Sequence, residues 1–474
     1  MFELCEATVS SVQKAFADGS LTSLELTMQY LERIADIDQS GPLINSVLEV
    51  NPDALDMAEA LDREYAQKGP RGPLHGIPVL LKDNINTADK LHTSAGTLAL
   101  KDNFAPQDAF IVEKLRAAGA VILGKANMTE LANYMSDHMR NGFSSRGGAV
   151  LNPYGADLNV GGSSAGSGAA VSANLCTVAV GTETSGSILC PANYNSIVGI
   201  KPTKGLVSRT GIIPICTAQD TAGPLARTVA DAAQLLTVLA GTDPKDPATG
   251  AIEPYLTDYA KFATPDGLKG MRIGLSRTDE ARYKPEFVAL AEYAWEVLAH
   301  SGAEIVPVDM GRLSRGWQSN ILLYEFKRCL NAYLASCTDP GAKSLLEIIE
   351  YNNKDPQRCL QYGQKTLLDA QLCTSGNLTE PVYLHERADD LRRSRKAVDD
   401  CLKEHGLDCI VMLGWNDVPP LSGYPAVSIP AGRGAESGQP MGITFVGTAF
   451  SEPVLIRAAA GMEAALNGRI PPML

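Results

Sequence analysis

Between residues 142 and 205 the chain is dominated by Gly, Ser, Asn and Pro, with only short apolar patches between them. Its densest part, GTETSGSILCPA at residues 181–192, holds small and hydroxyl side chains, one acid and almost nothing bulky. Side chains this small permit sharp bends and let the backbone approach another group closely. Just upstream, SSAGSGAAVSANL (163–175) reads as a helix of tiny residues whose backbone can pack tightly against its neighbours. Whatever fold the chain adopts must accommodate these close contacts.

Around this stretch the sequence alternates between strand and helix patterns. SLELTMQYLERIADID (23–38) spaces Leu24, Met28, Leu31 and Ile34 on one helical face, with hydroxyls ahead of it for a cap. HGIPVLLKDN carries an apolar run at 77–81 that ends in charge, the pattern of a buried strand. DAFIVEKLRAAGA predicts an amphipathic helix closed by Gly119, AVILGKAN the next strand, and CTVAVGTET a strand running into the small-residue motif. Further strands are expected at MRIGLS, AEIVPVDM, DCIVML, PAVSIPA and GITFVG, and helices at TVADAAQLLTVLAG and PVLIRAAAGMEAAL. This rhythm predicts an α/β protein with a mixed or parallel sheet covered by helices. At 474 residues, with no internal repeat and no low-complexity linker, the chain reads as one large unit over 1–474. A polar, largely helical insertion is expected at about 314–403.

Composition narrows the function. With 45% hydrophobic and 20% charged residues the chain resembles a soluble enzyme. A net charge of -13 is spread along the sequence and offers no basic stripe for nucleic acid. No apolar run reaches the roughly 18 residues of a membrane span. The opening residues lack the basic and apolar regions of a secretory leader. The ten cysteines form no CxxC pair, which predicts free thiols in a reducing cytoplasm. The six histidines show no HExxH spacing, and GGSSAGSG is not followed by the lysine of a phosphate-binding loop. Neither a metal nor a cofactor is expected.

Serine chemistry remains, in two forms. GSSAG (162–166) matches GxSxG, which would make Ser164 a nucleophile served by His300, His385 or His405. The segment before it, YGADLNV, is a weak strand for that pattern. The alternative base is Lys82, which follows IPVLL directly and so emerges from the core. Burial disfavours the charged form of a lysine and can leave it neutral enough to accept a proton. The plainer reading of Lys82 is a strand cap paired with Asp83. Three hydroxyls of the second loop, Thr184, Ser185 and Ser187, compete for the role of nucleophile.

GIPVLLKDN, GGSSAGSGAA and VGTETSGSILCPA, followed by GIKPT, GLVSR and GIIP, together resemble the amidase signature family. The similarity extends through ILGKANMTELAN and DTAGPLART, covers most of residues 20–240, and looks most like bacterial peptide-amidase-like members. The resemblance implies a central mixed, twisted sheet surrounded by helices. It implies a triad in which Lys82 is the base, Ser163 follows a cis peptide bond and relays the proton, and Ser187 attacks the substrate. The backbone N–H groups of Thr184, Ser185, Gly186 and Ser187 would hold the developing oxyanion. The substrate implied is a peptide C-terminal amide or another carboxamide, with esters and carbamates open to the same chemistry. The family also includes a subunit that releases ammonia for transamidation on tRNA, whose motif reads GTDTGGSIRQPA where this chain has GTETSGSILCPA. A monomer or homodimer acting on a small molecule or peptide, without nucleic acid or membrane, is the expected form. Glu183 and Asp220 are expected to hold loops, Arg146 to tie loops together or bind a substrate carboxylate, and Cys190 to pack.

Overall fold

The apolar runs become strands because they have no polar face to give to solvent. In the computed structural model, which describes residues 2–311 and 319–474, eleven strands join one continuous sheet. From one edge to the other they are Val47–Val50, Val121–Ala126, Pro78–Lys82, Val178–Glu183, Thr221–Ala226, Val198–Lys201, Ala426–Arg433, Pro440–Val446, Cys409–Leu413, Arg272–Ser276 and Glu304–Val308.

The sheet is mixed. Pro78–Lys82 runs parallel to both of its neighbours, Val121–Ala126 and Val178–Glu183. A second parallel set forms at the far edge, where Arg272–Ser276 lies between Cys409–Leu413 and Glu304–Val308. The strands between these sets pair antiparallel. Every strand expected from an apolar run is present. Thr221–Ala226 was not anticipated, because Gly223 and Pro224 argue against a central strand. It pairs along its whole length with Val178–Glu183, and a Cβ on Gly223 would lie 2.2 Å from the Ile200 carbonyl oxygen.

The helix of tiny residues forms at Ala165–Ser172, and all eight residues are buried. A Cβ on Gly166 would stand 2.2 Å from the Asn127 carbonyl oxygen and 2.4 Å from that of Ser46. Small side chains are therefore a packing requirement here. The weak strand pattern of YGADLNV gives no strand; residues 153–160 are turns and irregular chain.

From residue 319 to the strand Cys409–Leu413 the chain forms the helices Asn320–Ala335, Leu345–Lys354, Pro356–Cys359, Lys365–Cys373 and Pro381–His405. Residues 314–318 of the expected insertion lie outside the described residues. These helices contribute Ile321, Phe326, Leu330, Leu345, Ile348 and Leu367 to a second apolar cluster, distinct from the main core. Their partners are residues of the short helices and loops beside the sheet, including Leu100, Met128, Leu131, Ile213 and Ile215.

Candidate active site

Lys82 is the last residue of its strand and is fully buried. Its neighbour Asp83 does not pair with it: the Asp83 carboxylate accepts from the Gly96 N–H at 2.9 Å and the Ser94 hydroxyl, and faces Arg146. Lys82 Nζ instead stands 2.8 Å from Ser163 Oγ, 3.0 Å from Ser164 Oγ and 3.1 Å from the Thr182 carbonyl oxygen. Burial pushes the amine down to about 7, against the opposing pull of the Glu183 and Asp220 carboxylates.

Ser163 follows a cis peptide bond from Gly162. Its carbonyl accepts from the Thr129 N–H at 3.0 Å. The next residue joins the two serine-rich loops directly, since the Ser164 N–H donates to the Ser187 carbonyl at 3.2 Å. The Ser164 hydroxyl is fully committed. It donates to the Thr182 carbonyl at 3.0 Å, and accepts from the Thr182 N–H at 3.2 Å and from Lys82. His300, His385 and His405 all lie on helices away from these loops, and none bonds to Ser164. The histidine-assisted arrangement is therefore not assembled.

Ser187 is 7% exposed, and its hydroxyl makes no hydrogen bond among the described residues. It sits on a turn shaped by Gly186 at φ +82°, a left-handed conformation that glycine adopts without strain. Glu183 holds the far side of this turn: one carboxylate oxygen accepts from the N–H groups of Ile188 at 2.7 Å and Leu189 at 3.0 Å. By contrast, the N–H groups of Thr184, Ser185, Gly186 and Ser187 make no hydrogen bond among the described residues. Four consecutive unpaired donors on one tight turn form a concavity suited to a negative oxygen.

Asp220 anchors the turn from the other side. It accepts from the Thr184 hydroxyl at 2.6 Å and from the N–H groups of Ile215 at 2.8 Å and Cys216 at 3.0 Å. Burial raises its carboxyl to about 6. Gln219 donates to the Thr184 carbonyl at 3.0 Å. Arg146 ties loops, bonding Glu49 at 2.9 Å and Ser94 at 3.1 Å. Cys190 is buried, and burial pushes its thiol up to about 12, so it is not a thiolate at neutral pH.

A cavity of about 520 Å³ opens against Thr182, Glu183 and Thr184. Its walls are largely apolar, with Ile213 and Ile215 on one side and Cys329 and Ala332 of the helix Asn320–Ala335 on the other. That helix is fastened to the loop by Glu325, which accepts from the N–H groups of Thr217 at 2.7 Å and Ala218 at 3.0 Å. Sequence reasoning missed Thr182, Gln219 and Glu325, none of which carries a local signal.

Among the described residues no group of His, Cys, Asp and Glu side chains is placed to hold a metal ion. No described helix is long and apolar enough to cross a membrane.

A large mixed sheet that ends one strand in a buried lysine, beside two serine-rich loops, defines an α/β fold. Residues 25–420 match the Amidase family profile, and the chain belongs to that family. It is similar to the native peptide amidase of Stenotrophomonas maltophilia, with 43% identity, a TM-score of 0.93, and 100% of this chain and 99% of that one covered. An amidase family protein from Bacillus anthracis shares 40% identity at a TM-score of 0.94, over 99% of this chain and 93% of that one. A glutamyl-tRNA(Gln) amidotransferase subunit from Thermosynechococcus vestitus is 33% identical over 96% of this chain and 97% of its own length. Family membership makes this chain a hydrolase of amide carbon–nitrogen bonds.

Proposed function

We propose that the chain cleaves a peptide C-terminal amide, or a related carboxamide, through an acyl-enzyme on Ser187, with Lys82 as base and Ser163 as relay. The hydrogen-bond donors around Lys82 support this assignment. A neutral amine has two N–H groups and one lone pair. The Ser164 hydroxyl already donates to the Thr182 carbonyl. The two N–H groups of neutral Lys82 therefore go to Ser164 Oγ and the Thr182 carbonyl, and its lone pair faces Ser163 Oγ. Ser163 then donates to the amine and keeps a lone pair free to take the proton of Ser187.

As Ser187 attacks the amide carbon, its proton moves to Ser163 and that of Ser163 to Lys82. The carbonyl oxygen gathers charge against the N–H groups of the 184–187 turn. Return of the proton along the same path delivers it to the departing nitrogen, which leaves as an amine or ammonia. Water then attacks the ester carbon on Ser187 by the same relay and releases the acid. The observation that carries the reading is the burial of an amine held down to about 7 at hydrogen-bond distance from Ser163.

Esters and carbamates present the same carbonyl to the same residues. The amidotransferase relatives favour a further reading, in which the released ammonia passes to a partner; turnover of a simple amide by the chain alone excludes it. The ten free cysteines, six of them buried, suit a reducing cytoplasm, and we place the enzyme there as a monomer or homodimer.

Ser187→Ala and Ser164→Ala, assayed on an N-acylated amino-acid amide, decide between the two serines. Ser187→Ala is expected to lose about 10⁴-fold or more in kcat and to abolish labelling by a fluorophosphonate. Retained turnover in Ser187→Ala would overturn the assignment.

A further inference from the structure

Trp415 stands against the nucleophile turn from a part of the chain that the motifs do not touch. A Cβ built on Gly186 would lie 2.7 Å from its indole Nε1 and 3.0 Å from Cδ1, so the polar edge of the ring lies against the residue preceding Ser187. The ring is held firmly. It meets Tyr194 edge-on, with centroids 5.4 Å apart and planes at 86°. Its backbone is clamped by one hydroxyl: Tyr283 accepts from the Trp415 N–H at 3.2 Å and donates to the Trp415 carbonyl at 3.3 Å.

The indole N–H, however, makes no hydrogen bond among the described residues. Trp295 offers the contrast, with its indole N–H donating to Glu280 at 3.1 Å. Trp415 is half-buried, and its N–H is not among the sealed, unpaired polar atoms of the interior. An indole N–H donates only and finds a partner where it can. This unpaired donor therefore lies against the residue that precedes Ser187.

We propose that Trp415 is a specificity residue: its indole N–H donates to a second carbonyl of the substrate, one residue upstream of the bond that breaks. The site would then favour acylated amino-acid amides, which carry that acceptor, over hydrocarbon amides, which do not. This assignment rests on the reading that Ser187 attacks a carboxamide.

The test compares N-acetylphenylalaninamide with 3-phenylpropanamide, which keeps the ring and the scissile amide but lacks the second carbonyl. Trp415→Phe keeps an aromatic ring beside Tyr194 and removes the donor together with the five-membered ring that carries it. Its kcat/KM is expected to fall roughly five- to tenfold on the first amide and to stay within about twofold on the second. Fluorophosphonate labelling of Ser187 should proceed at the wild-type rate, which shows the turn intact. Equal losses on both amides, or a slowed labelling rate, would make Trp415 a prop for the turn and overturn the proposal, as would no loss on either. Should the wild type cleave neither amide, the carboxamide reading falls and takes this one with it. Should the wild type cleave both and Trp415→Phe not distinguish them, the carboxamide reading stands and only the role of Trp415 is lost.

Discussion

The floor and the roof of the site are built by different means. The floor, around Lys82, Ser163, Ser164 and Thr182, is buried, and its polar atoms hold one another in a closed set of hydrogen bonds. There the backbone sits so close to its neighbours that a methyl on Gly166 would meet the carbonyl oxygens of Asn127 and Ser46. The roof, formed by the helices of residues 319–405, rests on an apolar cluster of its own and is fastened by the carboxylate of Glu325. Close backbone packing tolerates almost no substitution, whereas an apolar helix face tolerates swaps of similar volume. On the proposed mechanism the chemistry is held by the floor, while substrate choice can drift with the roof.

Lys82→Met should separate the two regions most sharply. It keeps a long side chain in the pocket and removes the base, so amide hydrolysis is expected to fall by about 10³-fold or more while the protein stays folded by circular dichroism. In the parent enzyme the amine must be neutral to accept a proton. Its value near 7 then predicts kcat/KM rising with pH and levelling off above about 7. The same group makes folding pH-dependent. An unfolded lysine stays protonated up to about 10.5, so stability should rise with pH between about 7 and that value. A flat rate profile from pH 5.5 to 9 would remove Lys82 from proton transfer.

A smaller break comes from Gly186→Ala. The new methyl meets the Trp415 indole at 2.7 Å, and the left-handed backbone resists any Cβ. Displaced N–H donors should lower kcat by about 10²-fold, roughly the effect of losing one oxyanion donor at 2.7–4 kcal/mol. The thermal midpoint should move by only a few degrees. Normal kcat in this variant would show that the turn does not hold the oxyanion.

The least disruptive change, Glu325→Gln, tests whether the roof is separable. One amide replaces the carboxylate that holds the N–H groups of Thr217 and Ala218. The cost is about 1–3 kcal/mol of stability, read as a lower melting temperature. KM should rise a few-fold while kcat stays within about twofold. A large fall in kcat would mean that the roof also shapes the chemistry.

The floor was largely legible in the sequence. HGIPVLLKDN, GGSSAGSG and GTETSGS each carry residues whose size or charge leaves few placements, and the strands that present them are strongly apolar. Thr221–Ala226 was hidden because Gly223 and Pro224 break the strand pattern; only its paired neighbours make a strand of it. The contact of Asp220 with Thr184 joins residues 36 apart and has no local signature. Trp415 and Gly186 are more than two hundred positions apart in sequence, and only the fold brings them together. The helices of the roof read as helices, but their cavity-facing residues Cys329 and Ala332 could not be picked out, since an apolar face looks the same whether it meets a core or a ligand.

Lys82 closes one strand, and its parallel neighbour ends at Glu183 and leads into the turn that carries Ser187, with Leu81 paired to Val180. The distance from Lys82 to the root of that turn is thus set by a ladder of backbone hydrogen bonds. The roof is inserted on the opposite flank of the sheet, between the strands that end at Val308 and begin at Cys409. Evolution, or an engineer, can therefore lengthen, shorten or replace that insertion without altering the gauge on which the reaction depends.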